Sequence, residues 1–528
     1  MTRLAVEGLT IRLPRGADRE HAIEDVSLTV ASGEILCVVG ESGSGKSVTA
    51  SAVMGLLAPG LAIEKGRMAL SGEDLCTKTP EQWRAIRGRR VAMVFQEPMT
   101  ALNPLMTVGA QLGEMWRVHL GLDRREAAHR AVAALREVNL PDPEGAVRAY
   151  PHELSGGQRQ RVMIAMALAL EPEVLICDEP TTALDVTTQA QVLALIKDLQ
   201  KRHGTAVLFI THDFGVVAEI ADRVAVMRLG RVVEEGTAAE VLRSPQHEYT
   251  RALLAAVPGL HAPDPRALSP DAVLEVRGLT KTYASRGVFR RRKPVRALDA
   301  VSVSLKRGST LAIVGESGSG KSTLARCVVG LLGVDGGEIV VGGAPLPKGR
   351  RDAARLVQMV FQDPYASLNP RRKAGAQVAQ GPIAAGTPAA QAMAEARELF
   401  CTVGLDPDAA DRFPHEFSGG QRQRIGIARA LAMKPEVLVA DEPVSALDVS
   451  VQAQVLALLR ELQDRLGLSI LFITHDLRVA AQLCDEVAVM RNGVVEEAGR
   501  IGEVFAAPRS AYTRSLIEAI PGRALFGA

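Results

Sequence analysis

Short apolar runs recur along the chain, and each ends where glycines or polar residues begin. Many of their residues are Val and Ile, which favours buried β-strands, and longer stretches separate several of them. The first half contains such runs at residues 35–39, 91–95, 174–177, 206–210 and 223–227. Strands that alternate with helices indicate an α/β domain with a largely parallel sheet.

Two stretches depart from this alternation. Residues 125–138 and 389–403 carry apolar residues at helical spacing without a strand pattern, which predicts a helical subdomain in each half.

No window offers the roughly eighteen apolar residues that span a bilayer. The apolar run 162–170 predicts a buried helix instead. We therefore expect any membrane role to depend on partner proteins.

The second half of the chain repeats the first. The corresponding landmarks are Lys46 and Lys321, Gln96 and Gln362, Ser155 and Ser418, Asp178 and Asp441, and His212 and His475. A proline-rich stretch without helical or strand periodicity separates the copies. This pattern predicts domains at residues 1–257 and 273–528, joined by a linker at residues 258–272.

Composition narrows the class of protein. A chain of 528 residues is too long for one core, and its 47% apolar and 23% charged residues are typical of globular domains. The net charge of +2 predicts no nucleic-acid partner. Six cysteines without a C-x-x-C pair argue against a zinc site. For the basic stretch 286–296 we favour a solvated loop; contact with anionic lipid headgroups or ATP phosphates is the alternative.

Two glycine-rich segments match the phosphate-loop pattern G-x-x-x-x-G-K-[ST], and each lies between a predicted strand and a predicted helix. Their residues are Gly40, Glu41, Ser42, Gly43, Ser44, Gly45, Lys46 and Ser47, and Gly315, Glu316, Ser317, Gly318, Ser319, Gly320, Lys321 and Ser322. Such loops direct backbone N–H groups at phosphate oxygens, the lysine reaches the outer phosphates, and the serine holds Mg²⁺. A plain Gly/Ser turn is the alternative, and two such loops argue against it.

Each half also ends an apolar strand with paired acids, Asp178-Glu179 and Asp441-Glu442. An acid at a strand end beside a phosphate loop can hold Mg²⁺, and the next acid can orient or deprotonate water. We assign the metal to Asp178 and Asp441, and the water to Glu179 and Glu442. A solvated strand end is the alternative interpretation.

A serine and two glycines open a predicted helix in each half, where a hydroxyl and N–H groups can meet an anion. The residues are Ser155, Gly156, Gly157 and Gln158, and Ser418, Gly419, Gly420 and Gln421. With these segments the chain resembles the ATP-binding-cassette (ABC) ATPases over nearly its whole length. The resemblance implies two tandem P-loop NTPase domains, each with a RecA-like parallel-sheet core, an antiparallel β edge and a helical signature subdomain.

The resemblance also implies roles for single residues. Gln96 and Gln362 resemble the Q-loop glutamines, which serve catalysis and the metal, and His212 and His475 resemble the switch histidines that contact the γ-phosphate. The D-loops correspond to residues 183–185 and 446–448. In this family two domains face each other head to tail around two ATP molecules. The Lys46 set would then face Ser418 and Gly420, the Lys321 set would face Ser155 and Gly157, and both sites would hydrolyse ATP.

One asymmetry stands out. Domains of this family stack adenine on an aromatic residue, a position that Tyr283 fills in the second half and Leu13 in the first. We therefore expect weaker nucleotide binding at the first phosphate loop, by about 1 kcal/mol for a lost aromatic stack. Stacking by Arg12 is an alternative that would compensate.

The branch of the family is indicated by Q-[DE]-P-x-x-x-L-N-P at residues 96–104 and 362–370, and by the Tyr-Thr segments 244–254 and 511–516. These resemble dipeptide, oligopeptide and nickel import ATPases, although Glu248 and Ala511 stand where a proline is usual. The resemblance implies a fused ATPase for peptide import at the cytoplasmic face of the inner membrane. Its implied partners are ATP, Mg²⁺, two permease subunits and an extracytoplasmic binding protein.

Other functions stay open from the sequence. The cargo could be glutathione, nickel or another solute, because selectivity in this architecture lies in other chains. A tandem ATPase acting on ribosomes or DNA is a further alternative, disfavoured by the short linker and the lack of heptads. An exporter component is the third alternative, against which the extended Q-loop motif argues.

Overall fold

The computed structural model describes residues 1–17, 19–96, 101–182, 184–260, 266–283, 294–445 and 447–526. It divides into two compact units, Met1–Val257 with Pro521–Leu525, and Pro258–Ile520 with Phe526–Ala528. Parts of several predicted features lie outside the described residues. These are 97–100 of the first Q-loop motif, Ala183 and Ala446 of the D-loops, 261–265 of the linker, and 286–293 of the basic stretch.

The first unit is built on two sheets. Its strands are β1 Thr2–Arg12, β2 His21–Ala31, β3 Ile35–Val39, β4 Ala62–Leu70, β5 Glu73–Asp74, β6 Val91–Val94, β7 Val174–Asp178, β8 Ala206–Ile210, β9 Arg223–Arg228 and β10 Arg231–Thr237. Antiparallel strands form one sheet in the order β2-β1-β4-β5. The other sheet has the order β10-β9-β3-β8-β7-β6, and all its pairs are parallel except β9 with β10.

Helices follow or separate most of these strands. They span Lys46–Val53, Pro80–Ile86, Val108–Leu120, Arg124–Glu137, Pro143–Ala146, Gly156–Leu168, Val186–His203, Phe214–Ile220, Ala238–Arg243 and Glu248–Ala255. Most of them begin at a residue whose side chain accepts a hydrogen bond from the first turn. For example, Asp185 caps the longest of them by accepting from the Thr188 N–H at 3.0 Å, and Gly204 ends it with a φ of 62°.

The second unit repeats this plan. Its strands are β11 Ala272–Tyr283, β12 Val295–Lys306, β13 Thr310–Val314, β14 Gly336–Val341, β15 Ala344–Pro345, β16 Val357–Val360, β17 Val437–Asp441, β18 Ser469–Ile473, β19 Glu486–Arg491 and β20 Val494–Arg500. Its helices span Lys321–Val328, Arg350–Leu356, Pro364–Ser367, Ala374–Val378, Gln380–Ala384, Ala389–Thr402, Gly419–Leu431, Val449–Leu466, Leu477–Leu483, Ile501–Ala506 and Ala511–Glu518. A last short helix, Arg523–Phe526, belongs mostly to the first unit. The sheet orders are β12-β11-β14-β15 and β16-β17-β18-β13-β19-β20.

The central strands explain the apolar runs in the sequence. Every residue of Ile35–Val39 and Ala206–Ile210 is buried, as expected for parallel strands covered on both faces. The predicted α/β class and its parallel sheets are confirmed. Three strand ends differ from the expectation by one residue, because β6 ends at Val94, β7 at Asp178 and β9 at Arg228. Asp178 continues β7 by pairing with Ile210. Asp178 is therefore the last residue of β7, and Glu179 is the first residue beyond it.

The helical subdomains are also confirmed. Helices Arg124–Glu137 and Ala389–Thr402 lie close to the predicted ranges, and the former begins at Asp123, whose carboxylate accepts from two backbone N–H groups. The run 162–170 falls largely in helix Gly156–Leu168. Among the described residues, every helix is too short or too polar to cross a bilayer.

Candidate nucleotide sites

The first phosphate loop connects β3 to helix Lys46–Val53, and its glycines are required by the backbone. Gly40 has a φ of 152° and a Cβ there would collide with the Met227 carbonyl oxygen. Gly45 has a φ of 103°, and its Cβ would lie 2.5 Å from Ile23 Cγ2. The equivalent pairs in the second unit are Gly315 with the Met490 carbonyl and Gly320 with the Ala297 carbonyl. This tight curl brings successive N–H groups together, which suits a phosphate.

The loop lysines are buried and lie across their own loops. Lys46 is 6% exposed, and its Nζ donates to the Gly40 and Glu41 carbonyl oxygens at 2.7 and 2.9 Å and to Ser44 Oγ at 3.4 Å. The second unit repeats this with Lys321 and the oxygens of Gly315 at 2.7 Å, Glu316 at 2.7 Å and Ser319 at 3.4 Å. An ammonium group held over converging N–H groups fits the phosphates of a nucleotide.

The residues predicted to hold Mg²⁺ lie together in each unit. Ser47 Oγ donates to Asp178 Oδ1 at 3.0 Å, and Ser322 Oγ donates to Asp441 Oδ1 at 3.3 Å. Burial raises the pKa of both aspartates above its usual value. Hydroxyl and carboxylate oxygens beside a phosphate loop are the donors that Mg²⁺ accepts. A cation there would also offset the free-energy cost of burying the charged carboxylates. This donor set therefore fits the metal.

The acid after each aspartate is surrounded by the other predicted catalytic residues. Glu179 accepts from Gln96 Nε2 at 3.1 Å and from Thr182 Oγ1 at 3.0 Å, and its Oε1 lies 3.2 Å from His212 Nδ1. Its side chain is only 16% exposed. Gln96 follows β6, Glu179 follows β7 and His212 follows β8, so the carboxyl ends of three neighbouring strands bring them together.

The second unit gathers the same group with one difference. Gln362 Nε2 donates to Glu442 Oε2 at 2.7 Å, and His475 Nδ1 lies 3.2 Å from Glu442 Oε1. Ser445 replaces Thr182, and its hydroxyl donates to the backbone carbonyl of Glu442 rather than to the carboxylate. The sequence did not single out Thr182 or Ser445, because a hydroxyl three residues after an acid carries no specific signal.

Each acid and its histidine form an ion pair. Burial opposes the charge of Glu179, but the hydrogen bond and positive charge of His212 outweigh burial and lower the Glu179 pKa. Burial likewise opposes charge on His212, yet the bond to Glu179 raises the histidine pKa. Glu442 and His475 show the same directions for the same causes. The carboxylates are therefore ionised, as a proton acceptor must be.

The predicted signature residues lie at the start of helices Gly156–Leu168 and Gly419–Leu431. Ser155 Oγ accepts from the Gln158 N–H at 3.3 Å, and Gln158 Oε1 accepts from the Ser155 N–H at 2.9 Å. A Cβ at Gly157 would lie 2.5 Å from Thr188 Cγ2, so the second glycine has no room for a side chain. Ser418 and Gln421 form the same capping box, Gly156 and Gly419 are the first helical residues, and Gly420 packs against Val451.

The first signature opens onto a surface cavity of about 690 Å³. Ser155, Gly157 and Gln158 line it together with Arg161 and Gln191. Within this lining, the Arg161 guanidinium donates to Gln191 Oε1 at 2.8 Å. Within this unit the start of the signature helix thus borders a cavity whose lining comes from residues 139–161 and from helix Val186–His203, and not from the phosphate loop.

The structure distinguishes the two residues proposed for the adenine position. Tyr283 ends β11, is 39% exposed and has its hydroxyl 3.4 Å from Thr323 Oγ1. Leu13 packs against the apolar core of the first unit instead. Near that first site Arg19 donates to the Gly43 carbonyl at 2.6 Å, a contact without a signal in the sequence.

Comparison with known proteins gives consistent matches. A family described as "ABC transporter" matches residues 23–182 and 298–445, and one described as "Oligopeptide/dipeptide transporter, C-terminal region" matches residues 233–291. The chain is 45% identical to the peptidoglycan transport ATP-binding protein YejF of Agrobacterium fabrum, over 98% of this chain and 96% of that protein. It is 47% identical to the glutathione import ATP-binding protein GsiA of Escherichia coli K12, over 98% of this chain and 89% of that protein.

Solved structures of single cassettes are also similar to parts of the chain. The cbiO1 protein from Clostridium perfringens, part of the ABC transporter complex cbiONQ, is 32% identical over 45% of this chain and 91% of its own, with a TM-score of 0.39. The family match covers most of both repeats, and the relatives match nearly the whole chain. The chain therefore belongs to the ABC transporter family, as an import-type ATP-binding subunit with two ATPase domains on one polypeptide.

Proposed function

We propose that this chain energises a membrane importer for peptides or peptide-like solutes by hydrolysing ATP. The match of residues 233–291 to the oligopeptide/dipeptide transporter C-terminal region carries the proposal. Relatives named for peptidoglycan transport and glutathione import support it, since both names refer to solutes with peptide bonds. The proposed partners are two permease subunits and an extracytoplasmic binding protein, which would hold the chain at the cytoplasmic face of the inner membrane.

The proposed chemistry uses the residues gathered at each phosphate loop. In the first unit the loop N–H groups and Lys46 bind the phosphates of ATP. Ser47, Asp178 and Gln96 would hold Mg²⁺, which supplies positive charge against the phosphate oxygens. His212 turns from Glu179 toward the γ-phosphate, and the Glu179 carboxylate then accepts a proton from the attacking water. In the second unit the same roles fall to Lys321, Ser322, Gln362, Asp441, Glu442 and His475.

We further propose that the two domains, residues 1–257 and 273–528, share their sites. Ser418 and Gly420 would complete the site at Lys46, and Ser155 and Gly157 would complete the site at Lys321. The cavity beside Ser155 and the helix N-terminus there support an anion-binding role that the same unit's loop does not use. ATP binding would then draw the domains together, and hydrolysis would let them separate.

The ATPase proposal is tested with the purified full chain. We expect Mg-ATP hydrolysis by the wild-type protein, and a loss of at least about a hundredfold in a Glu179→Gln, Glu442→Gln variant, because a positioned base contributes at least that much. The variant should still bind Mg-ATP, whereas Lys46→Ala, Lys321→Ala should not. Hydrolysis at the wild-type rate in the double glutamine variant would refute the roles of these acids.

The cargo is tested in cells. Deletion of the gene should reduce uptake of the cargo, with labelled oligopeptides, glutathione, peptidoglycan fragments and Ni²⁺ compared in parallel. Restored uptake should require Glu179 and Glu442. If only Ni²⁺ uptake is lost, the peptide assignment is refuted in favour of nickel. If the chain co-purifies with ribosomes and with no permease, the transport assignment is refuted.

A further inference from the structure

A tyrosine from the C-terminal part of each unit contacts the phosphate loop. The Tyr249 hydroxyl accepts from the Glu41 N–H at 3.3 Å and donates to Glu41 Oε2 at 3.0 Å. In the second unit the Tyr512 hydroxyl accepts from the Glu316 N–H at 3.3 Å and also hydrogen-bonds to the Glu316 side chain. Both tyrosines are 8% exposed, so little water competes for these bonds.

The helix that carries each tyrosine is fixed to the last strand of its sheet. Glu234 of β10 accepts from the N–H groups of Gln246 and His247 at 2.7 and 3.1 Å, directly before helix Glu248–Ala255. In the second unit Glu497 of β20 accepts from the N–H groups of Arg509 and Ser510 at 2.9 and 3.1 Å. A helix anchored in this way can hold a neighbouring loop in place.

An arginine covers each tyrosine ring. The guanidinium of Arg228 lies 4.8 Å from the centre of the Tyr249 ring, and that of Arg491 lies 4.7 Å from the Tyr512 ring. A cation over an aromatic face is attractive at these distances. Arg228 and Arg491 are the last residues of β9 and β19, so the ring is fixed from the sheet as well as from its own helix.

The tyrosine and the loop lysine hold opposite sides of the same residue. Tyr249 binds the Glu41 N–H, while Lys46 Nζ donates to the Glu41 carbonyl at 2.9 Å. Lysine has three protons, and a bound phosphate would compete with the loop carbonyls for them. The Tyr249 hydroxyl bonds only to Glu41 of the loop, so a bound phosphate would not compete for these hydrogen bonds. The tyrosine contact is therefore suited to keep the loop curled when Lys46 serves the nucleotide.

We propose that Tyr249 and Tyr512 are positioning residues that hold the phosphate loops in the conformation that accepts ATP. The proposal rests on the proposed function, since it assigns a purpose to a contact at the ATP site. Tyr249 lies outside the residues that match the ABC transporter family and inside those that match the oligopeptide/dipeptide C-terminal region. The helix Glu248–Ala255 of that region thereby acquires a role in nucleotide binding by the first unit.

The test is a Tyr249→Phe variant in a Lys321→Ala background, so that the first phosphate loop alone binds nucleotide. Phenylalanine keeps the ring under Arg228 and removes only the hydroxyl. We expect the Kd for Mg-ATP to rise about tenfold, the size of one hydrogen bond to a charged group.

In the otherwise wild-type chain, Tyr249→Phe with Tyr512→Phe should raise KM and leave kcat within about twofold, the pattern of a lost binding contact. Hydrogen exchange of residues 40–47 should also become faster in the nucleotide-free variant.

Tyr150→Phe is the matched control, because Phe413 occupies the corresponding position of the second half. It should change neither Kd nor exchange in the phosphate loop. If the Lys321→Ala protein with native Tyr249 does not bind Mg-ATP, the proposed function fails and this proposal fails with it. If it binds, and Tyr249→Phe binds equally well with unchanged exchange, only the tyrosine proposal is overturned.

Discussion

Glu179 and Glu442 occupy left-handed backbone conformations, with φ of 46° and 47°. Such a conformation costs a residue with a side chain about 1–2 kcal/mol. It persists because each N–H is held by the adjacent strand: Glu179 donates to the Ile210 carbonyl and Glu442 to the Ile473 carbonyl, both at 2.9 Å. The turn carries each carboxylate out of the strand pattern and to its histidine. Strain at this point is consistent with a catalytic position.

The acid–histidine pairs lead to a prediction about pH. The His212 pKa is raised above 6.5, so its contribution to stability is complete below pH 6.5 and is lost as the pH rises through the folded-state value. The Glu179 pKa is lowered below 4.5, so its contribution is lost only as the pH falls through that lower value. In the nucleotide-free chain, the pair should therefore be most stabilising between about pH 4.5 and 6.5.

NMR titration of labelled histidine checks this prediction, with His212→Gln used to assign the signal. We expect a midpoint above 6.5 in the wild-type protein and a lower one in Glu179→Gln, which removes the negative charge. Asp198→Asn is a control, because Asp198 lies in an exposed pair with Arg202. A His212 midpoint that does not respond to Glu179→Gln would contradict the ion pair.

Most residues of the candidate site were predictable from the sequence, but their arrangement was not. Lysine, serine, aspartate and glutamate were predicted because local motifs specify them, and their spacing from a strand or helix is fixed. The contact of Tyr249 with Glu41 joins residues 208 positions apart and has no local signature. A repeated Tyr-Thr in both halves was visible, but only the fold shows that its hydroxyl meets the phosphate loop.

At the scale of elements, buried parallel strands were the most predictable. The runs 35–39 and 206–210 are the strands with unchanged bounds, because apolar β-branched runs between polar ends leave little choice of conformation. The antiparallel sheet was implied by resemblance rather than by pattern. Strand β1 extends over Thr2–Arg12 and pairs with irregular register, so its apolar alternation is broken where the bulges fall.

The two signature helices differ at one position that affects the extended Q-loop segment. In the second unit Arg429 donates to the Ser367 carbonyl and lies 6.0 Å from the Phe361 ring, and Met166 is its counterpart in the first half. The Arg429 guanidinium is partly withdrawn from water, and this burial lowers its pKa. The arginine therefore ties residues 362–370 to helix Gly419–Leu431.

We predict that Arg429→Met loosens this segment. Amide exchange across residues 362–370 should accelerate by about tenfold, because one charged hydrogen bond is lost, while the segment 96–104 should not change. Arg429→Lys should restore part of the protection, since lysine keeps the charge but not the planar donor group. Equal exchange in the wild-type, Met and Lys proteins would show that the bond does not restrain the segment.

At the scale of the whole molecule, duplication has left two similar but unequal sites. With Lys321→Ala only the first phosphate loop should bind ATP, and with Lys46→Ala only the second. We expect the first of these variants to bind about fivefold more weakly, because Leu13 packs into the core while Tyr283 stays exposed for stacking. Calorimetric titration with Mg-ATP measures both constants.

Reciprocal substitutions separate stacking from other differences between the halves. Tyr283→Leu in the Lys46→Ala protein should remove the advantage of the second loop, and Leu13→Tyr in the Lys321→Ala protein should supply part of it to the first. Arg19, which donates to the Gly43 carbonyl, adds positive charge at the first loop and would work against this difference. Equal affinities in the two lysine variants would refute the asymmetry.

Closure of the two domains on ATP is the step on which the proposed transport cycle depends, and the chain offers native positions for measuring it. Cys76 and Cys401 are exposed, one in each unit, and the other four cysteines are buried. Cys37, Cys177, Cys327 and Cys484 are poor targets for labelling, because a reagent cannot easily reach a buried thiol. Spin labels on Cys76 and Cys401 can therefore report domain movement without added cysteines.

The Glu179→Gln, Glu442→Gln variant should trap the closed state, because we expect it to bind Mg-ATP without hydrolysing it. We expect the distance between the two labels to change to one narrow distribution with saturating Mg-ATP and to stay at its nucleotide-free value with Mg-ADP. Adding Ser155→Ala and Ser418→Ala should weaken the response, since each serine would complete the other domain's site. A distance unaffected by saturating Mg-ATP would show that the domains bind nucleotide separately, and coupling of hydrolysis to transport would then need another mechanism.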